Sequence, residues 1–182
     1  MDYFPRFVIG DFLIELKATT PALTQENGNE RIDSVYAYIR EIRAREEKQK
    51  AIGACDAAYT ISVTGRECYQ ALFEKLDRNA VMLGIYGMDG KIAGYAAFYA
   101  NDTDSRRAYM SLFCIRKPMQ RKYLGSALMR TCMQEAKSRG MESMRLEVLN
   151  RDSGAIEFYR RMGFTETGRR DAFIQMEKEL TA

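Results

Sequence analysis

The chain has 182 residues, 46% hydrophobic and 29% charged, a balance that fits one folded domain over 1–182 and leaves no room for two or for extensive disorder. A net charge of +3 excludes binding nucleic acid through bulk charge. No histidine is present and no C-x-x-C pair occurs among Cys55, Cys68, Cys114 and Cys132, so neither a metal site nor a disulfide framework is expected. No apolar run approaches the ~20 residues that span a bilayer, and Met1-Asp2-Tyr3-Phe4-Pro5 lacks the layout of a secretory signal; the expectation is a cytoplasmic protein with no membrane partner.

Phe7-Val8-Ile9 and Phe12-Leu13-Ile14-Glu15-Leu16 flank Gly10-Asp11, which reads as a hairpin turn or as a break within one strand. The stretch 19–30, rich in Thr, Pro, Gln, Asn and Gly, reads as a surface loop. Val35, Ile39 and Ile42 recur at helical spacing among charges and predict an amphipathic helix over 32–50, with a solvated face or a partner surface on its charged side. A second helix over 65–76 would turn Cys68, Leu72, Phe73 and Leu76 inward. The period then changes to two: Val81, Leu83 and Ile85 alternate with Met82, Gly84 and Tyr86. Asp89-Gly90 predicts a type I′ turn, and 92–100 returns as a long apolar strand. After the polar turn 101–105, a largely apolar third strand runs over 108–115 and should be central.

Leu124, Ala127, Leu128, Thr131, Cys132 and Ala136 mark one face of a helix that Gly140 ends, and Met144, Leu146 and Val148 alternate as the next strand, completing a βαβ unit. Asp152 or Ser153 can cap a short helix that stops at Gly163, and two closing strands follow over 164–170 and 172–178. The chemistry should lie where the strand ending at Ile115 hands over to the basic loop and the next helix. There the unpaired N–H groups of a helix start and its dipole converge with Arg116, Lys117, Arg121 and Lys122, which makes a seat for a pyrophosphate.

The region 108–164 resembles the GNAT superfamily of N-acetyltransferases, whose acetyl-CoA loop reads Q/R-x-x-G-x-G/A. Gln120 and Gly125 match its ends, and Tyr123 stands at the middle glycine. The run Ala155-Ile156-Glu157-Phe158-Tyr159, with Gly163-Phe164 after it, is similar to the helix and turn that flank the family's pantetheine arm; many relatives carry Asn where this chain has Asp152. The resemblance implies a mixed-sheet α/β fold with a splayed βαβ cofactor site in 80–182, and an acceptor site shaped by the strand and helices of 1–79. It implies acetyl-CoA as the acyl donor, held by Phe113, Cys114 and Ile115, by the loop Gln120, Arg121, Lys122, Tyr123, Leu124, Gly125 and Ser126, and by Asp152, Ala155 and Phe158.

It also implies transfer of the acetyl group to a primary amine of a small molecule or protein by direct attack, with a backbone N–H near 113–115 holding the oxyanion. Tyr159 stands at the family's position for the acid that protonates the departing thiolate, against the plainer reading of an aromatic packed on the sheet. The strand position of the family's glutamate falls on Tyr109, a poor base. Glu147 is the nearest candidate, with Asp102 and Asp104 acting through water, and each also reads as a solvated or salt-bridged carboxylate.

Cys114 and Cys132 read as core residues in preference to nucleophiles, and Tyr95, Tyr99 and Tyr109 line either an acceptor pocket or the core. Two readings compete with the enzyme. One is an acyl-CoA-binding sensor without turnover. The other is nucleic-acid binding through the basic cluster, which no aromatic-basic interleaving accompanies. A homodimer is left open.

Overall fold

The computed structural model describes residues 12–17 and 34–180. The expected loop over 19–30 and the apolar triplet 7–9 lie outside the described residues. In chain order the strands are β1 (Phe12–Lys17), β2 (Ser34–Glu41), β3 (Val81–Gly87), β4 (Ile92–Tyr99), β5 (Arg107–Ile115), β6 (Ser143–Leu149), β7 (Thr165–Arg170) and β8 (Phe173–Glu179). The helices are α1 (Arg45–Cys55), α2 (Tyr69–Asn79), α3 (Leu124–Ser138) and α4 (Ser153–Arg161). The strands form one sheet in the order β1-β2-β3-β4-β5-β6-β8-β7. All neighbours are antiparallel except β5 and β6, the pair that α3 connects. This is the mixed α/β architecture expected, although the sheet is not confined to 80–182, because β1 and β2 extend it on the β3 side.

Both faces of the central strands are buried, which is why their sequence reads as nearly continuous apolar runs. On one face Ile39, Leu83, Ile85 and Phe98 meet Leu128 and Cys132 of α3 and Ile156 of α4. On the other, Tyr86, Tyr95, Ala97 and Leu112 meet Ile52 of α1 and Phe73 and Leu76 of α2. The two helices of this second layer are joined by Lys48, which is 7% exposed and donates at 3.0 Å to both the carbonyl and the Oδ1 of Asp77, and by Arg45 with Glu74 and Asp77. No helix among the described residues is long and apolar enough to cross a membrane.

Three local expectations are corrected. The helix over 32–50 is a strand followed by a later helix: β2 ends at Glu41, and α1 starts at Arg45 and continues to Cys55. Val35 and Ile39 are four residues apart, which satisfies a period of two as well as one near 3.6. The intervening Ala37 and Tyr38 decide the matter, since Ala37 and Ile39 enter one core and Tyr38 packs on the other. The β-branched and aromatic run Val35-Tyr36-Ala37-Tyr38-Ile39 also favours extended backbone.

The turn between β3 and β4 is not type I′, because within it only Gly90 has a positive φ, of 74°. Gly90 N–H donates to Gly87 O at 2.9 Å and Gly87 N–H to Lys91 O at 3.0 Å, the three-residue hairpin in which a type I turn ends on a left-handed glycine. Cys68, expected inward, is exposed, since it precedes α2 as its cap position and stands outside the buried stripe of Phe73 and Leu76.

Candidate active site

The site exists because β5 leaves β6. The two strands pair from Arg107↔Ser143 to Met110↔Leu146 and no further, although β5 runs on to Ile115 and β6 to Leu149. The cause is local. Phe98 of β4 pairs with Met110 and Ala97 with Leu112, so Ser111 is an extra residue in β5. Such a bulge bends the strand that carries it and shifts its alternation. Ala108 and Met110 before the bulge, and Phe113 and Ile115 after it, all face α3 and α4, whereas Leu112 and Cys114 enter the opposite core. Phe113 thereby stacks on Phe158 at 5.5 Å and meets Tyr159 edge-on at 6.4 Å, so aromatic rings floor the opening between the two strands.

Beyond Ile115 the chain crosses to α3 through a short 3-10 turn (Lys117–Met119). Gln120 ties this loop to the end of β5 by donating from Nε2 to Ile115 O at 2.9 Å. Arg121 and Tyr123 then both take left-handed backbone, each with φ 59°. Alternating handedness of this kind turns successive N–H groups toward one point. Among the described residues the N–H groups of 121–126 donate to no backbone carbonyl, the first return into the helix being Ala127 N–H to Tyr123 O at 3.0 Å. The middle position of the loop pattern is therefore a glycine position in its backbone, occupied here by a tyrosine.

Gly125 has no such backbone demand. A Cβ there would lie 3.4 Å from the Phe158 ring and 3.5 Å from Ile115 Cγ1, ordinary contact distances, so an alanine would fit and only a larger side chain would press on the aromatic floor.

A cavity of ≈920 Å3 follows this path. From β5 it is lined by Phe113, Cys114 and Ile115; from the loop and α3 by Gln120, Arg121, Tyr123, Gly125 and Ser126; and from α4 and its cap by Asp152, Ala155, Phe158 and Tyr159. Those expected residues are brought together. Lys122 does not line the cavity, and Leu124 is fully buried in the core, which leaves its N–H as its contribution to the loop. Arg116 is also absent from the lining. Strand alternation carries its side chain to the far face, where Nη1 donates to Ile92 O at 3.2 Å. The cations on the cavity are Lys117, Arg121 and Arg161. Arg161 joins the other two from α4, where Gly154, Glu157 or Phe158, and Arg161 share helical spacing, a signal present in the sequence.

The segment joining α1 to α2 supplies a wall that the sequence did not announce, through Ala58 and Thr60. It is organised on Asp56, whose carboxylate accepts from Ser62 Oγ (2.6 Å), Val63 N–H (2.7 Å), Thr64 N–H (3.1 Å) and Thr64 Oγ1 (2.7 Å). Burial pushes this carboxyl upward, but the hydrogen bonds outweigh it and bring the pKa to about 2. Across the cavity, Asp152 caps α4 by accepting Ala155 N–H at Oδ1 (3.0 Å), and its Oδ2 accepts Thr60 Oγ1 at 3.0 Å. This aspartate ties the two walls to each other.

Tyr159 is 9% exposed and lines the cavity between Phe113, Phe158 and Phe164. Burial raises its phenol well above the ordinary value, and Asp152 adds to the rise, so it carries its proton at neutral pH. Glu147 is elsewhere: it accepts from Arg170 Nη2 (3.2 Å) and Gln175 Nε2 (3.0 Å) and does not line the cavity. Asp102 caps its own turn through Ser105, and neither it nor Asp104 reaches the cavity. Tyr95 is buried and accepts a 2.9 Å hydrogen bond from Tyr59, while Tyr99 is half-buried and Tyr109 is 40% exposed; none of these three lines the cavity. Cys114 and Cys132 are buried, as the core reading expects.

A parallel strand pair that parts after a bulge, beside a loop with unpaired N–H groups at a helix start, makes a cleft suited to a phosphate-bearing ligand. The PaiA N-acetyltransferase of Thermoplasma acidophilum, solved in complex with coenzyme A, shares the fold at TM-score 0.68 and 19% identity, over 79% of this chain and 98% of that one. The acetyltransferase (GNAT) family is matched over residues 37–164, and the chain belongs to it. A nourseothricin acetyltransferase structure is 28% identical with TM-score 0.54, covering 58% of this chain and 68% of that one. The streptothricin acetyltransferase of Streptomyces lavendulae is 35% identical over 89 residues, which are 49% of this chain and 47% of that protein. The match thus spans about half the length of that curated relative.

Proposed function

We propose that this protein is an acetyl-CoA-dependent N-acetyltransferase that passes the acetyl group to a primary amine of a small molecule or protein by direct attack in a ternary complex. The observation that carries this reading is the continuity of one cavity, from the free N–H groups of 121–126 to the parted strands and the buried Tyr159. The residues present fit the donor. The loop N–H groups, with Lys117 and Arg121, suit a pyrophosphate. Beyond Met110 the β6-facing edge of β5 has no strand partner, so it can pair with a pantetheine amide as it would with an added strand.

The donor supplies a thioester, and the chain's own groups do the rest. A backbone N–H of β5 near 113–115 holds the developing oxyanion. Tyr159 gives its proton to the leaving sulfur. The burial that raises the phenol acts on a thiolate in the same place, so the two proton affinities rise together and transfer remains feasible. The amine attacks as the free base and loses its proton to solvent, because Glu147 is occupied by Arg170 and Gln175 away from the cavity.

Streptothricin heads the acceptors to be tried, on the similarity to the Streptomyces lavendulae protein named for it. The test is CoA release with acetyl-CoA and a panel of streptothricin, polyamines, amino acids, amino sugars, aminoglycosides and peptide N-termini, checked by the product's mass. Turnover with one of them supports the reading. Tight acyl-CoA binding with no turnover across the panel favours the sensor, and no binding at millimolar acetyl-CoA overturns both.

A further inference from the structure

We infer that Tyr123 is a stacking platform for the purine of the acyl donor, so that this chain grips the nucleotide end of acetyl-CoA with an aromatic ring where the family's loop pattern has a glycine. The inference rests on the acyl-CoA reading of the cavity.

The cavity has a direction. Phe113, with Tyr159 packed on it, lies on the part of β5 that has left β6, and the loop of 121–126 with its unpaired N–H groups borders the same cavity. On α4 it follows the stripe from Asp152 to Arg161, nine residues, or roughly 14 Å of helix. A donor with its thioester at the parted strands and its pyrophosphate on the loop must continue past the start of α3. The lining there is Lys117, Arg121, Tyr123, Glu157 and Arg161. With Lys117 and Arg121 given to the pyrophosphate, Arg161 is the cation that suits the sugar phosphate of CoA, and Tyr123 is the one aromatic in this group.

The other aromatic rings on the cavity are already engaged. Phe113, Phe158 and Tyr159 pack on one another at centroid distances of 5.4–6.4 Å. Tyr123 has no aromatic partner among the described residues, is 55% exposed and lines the cavity, so it is the aromatic ring there that a planar ligand can reach. Its backbone sharpens the argument. Left-handed geometry with φ 59° and ψ 0° disfavours any residue with a Cβ and would leave a glycine unstrained. A large aromatic at that position stays more than half exposed, and a stacked base is a contact that would offset the strain.

The experiment compares two donors, acetyl-CoA and S-acetyl-4′-phosphopantetheine, which lacks the nucleotide, on the wild type and on Tyr123→Phe and Tyr123→Leu. Both substitutions keep a Cβ in the left-handed position, so strain stays nearly constant while the ring is kept or lost. Stacking of one base on one aromatic predicts that Tyr123→Leu weakens acetyl-CoA binding by roughly 5- to 100-fold, that Tyr123→Phe holds near wild type, and that the short donor binds all three alike.

The chain contains no tryptophan, so Tyr123→Trp installs a single one, which can be excited to the red of the tyrosines; its emission should be quenched by acetyl-CoA and unaffected by the short donor. Wild-type affinity in Tyr123→Leu, or an equal loss for both donors, overturns the purine assignment and leaves the acyl-CoA reading standing. Failure of the wild type to bind either donor removes that reading itself.

Discussion

Two loops border the cavity, and they are held in opposite ways. The loop of 116–123 is shaped by backbone that its residues do not prefer, and it ends in N–H groups without protein partners. The segment of 56–66 is knitted around one carboxylate whose hydrogen bonds are all made within the protein. The first leaves its donors open to solvent or, on the proposed reading, to an anion. The second is complete by itself and serves as a fixed wall. Donors left unpaired by the protein can be met by a ligand or by water, whereas a hub already satisfied is free to act as structure.

The largest expected effect lies at Tyr159, on the cavity that both loops border. Tyr159→Phe keeps the ring among Phe113, Phe158 and Phe164, so acetyl-CoA affinity should hold while kcat falls by about 10²-fold, read by steady-state kinetics with an accepted amine and a CoA titration. A parallel loss of affinity and stability would make the tyrosine structural.

Next come the cations on the cavity, two from the loop and one from α4. Replacing Lys117, Arg121 and Arg161 together by Ala should weaken acetyl-CoA binding by roughly 10- to 100-fold in low salt and flatten its salt dependence, with the melting temperature unchanged. Calorimetry at two ionic strengths checks this.

The complete segment should fail in the reverse sense. Asp56→Ala should cost about 2 kcal/mol of stability in denaturant titration, since several charge-assisted hydrogen bonds go at once. The pH dependence has a definite sign. The folded carboxyl is depressed to about 2, so its contribution is full above the unfolded value of ~3.9 and is lost as pH falls toward 2. The gap between wild type and Asp56→Asn should therefore close over that window.

Smaller effects refine the contrast. Tyr123→Gly relieves left-handed strain but loosens the unfolded chain, for a net gain below ~1 kcal/mol in thermal unfolding, while acetyl-CoA affinity falls. Thr60→Val removes the tie to Asp152 at similar volume. Stability should shift by about 1 kcal/mol or less, and a change confined to the acceptor's KM would show that the tie positions the wall.

How far the sequence revealed all this differs between the same two regions. Residues 108–164 carry long periodic elements and a motif whose parts are close in the chain, so β5, α3, β6, α4 and most of the cavity lining could be read directly. The left-handed backbone at 121 and 123 could not be read from preference, because neither residue is a glycine; closure between the end of β5 and α3 imposes it. Residues 34–66 resisted for other reasons. The spacing of Val35 and Ile39 fits two periods, and only burial on both faces of a sheet separates them. The role of Thr60 depends on Asp152, 92 residues away, a pairing that no local pattern contains. Glu147 was singled out by its strand position, which says nothing of the Arg170 and Gln175 that occupy it.

The short parallel pairing of β5 and β6 has a mechanical consequence. Four rungs, from Arg107↔Ser143 to Met110↔Leu146, join the five strands on the β5 side of the sheet to the three on the β6 side. A bound donor lying between the parted ends would add backbone bonds to both sides, acting as a rivet across the seam. Its occupancy would then govern how readily the two halves separate under heat or load, and the amides of 107–110 and 143–146 should exchange with solvent more slowly as acetyl-CoA is added.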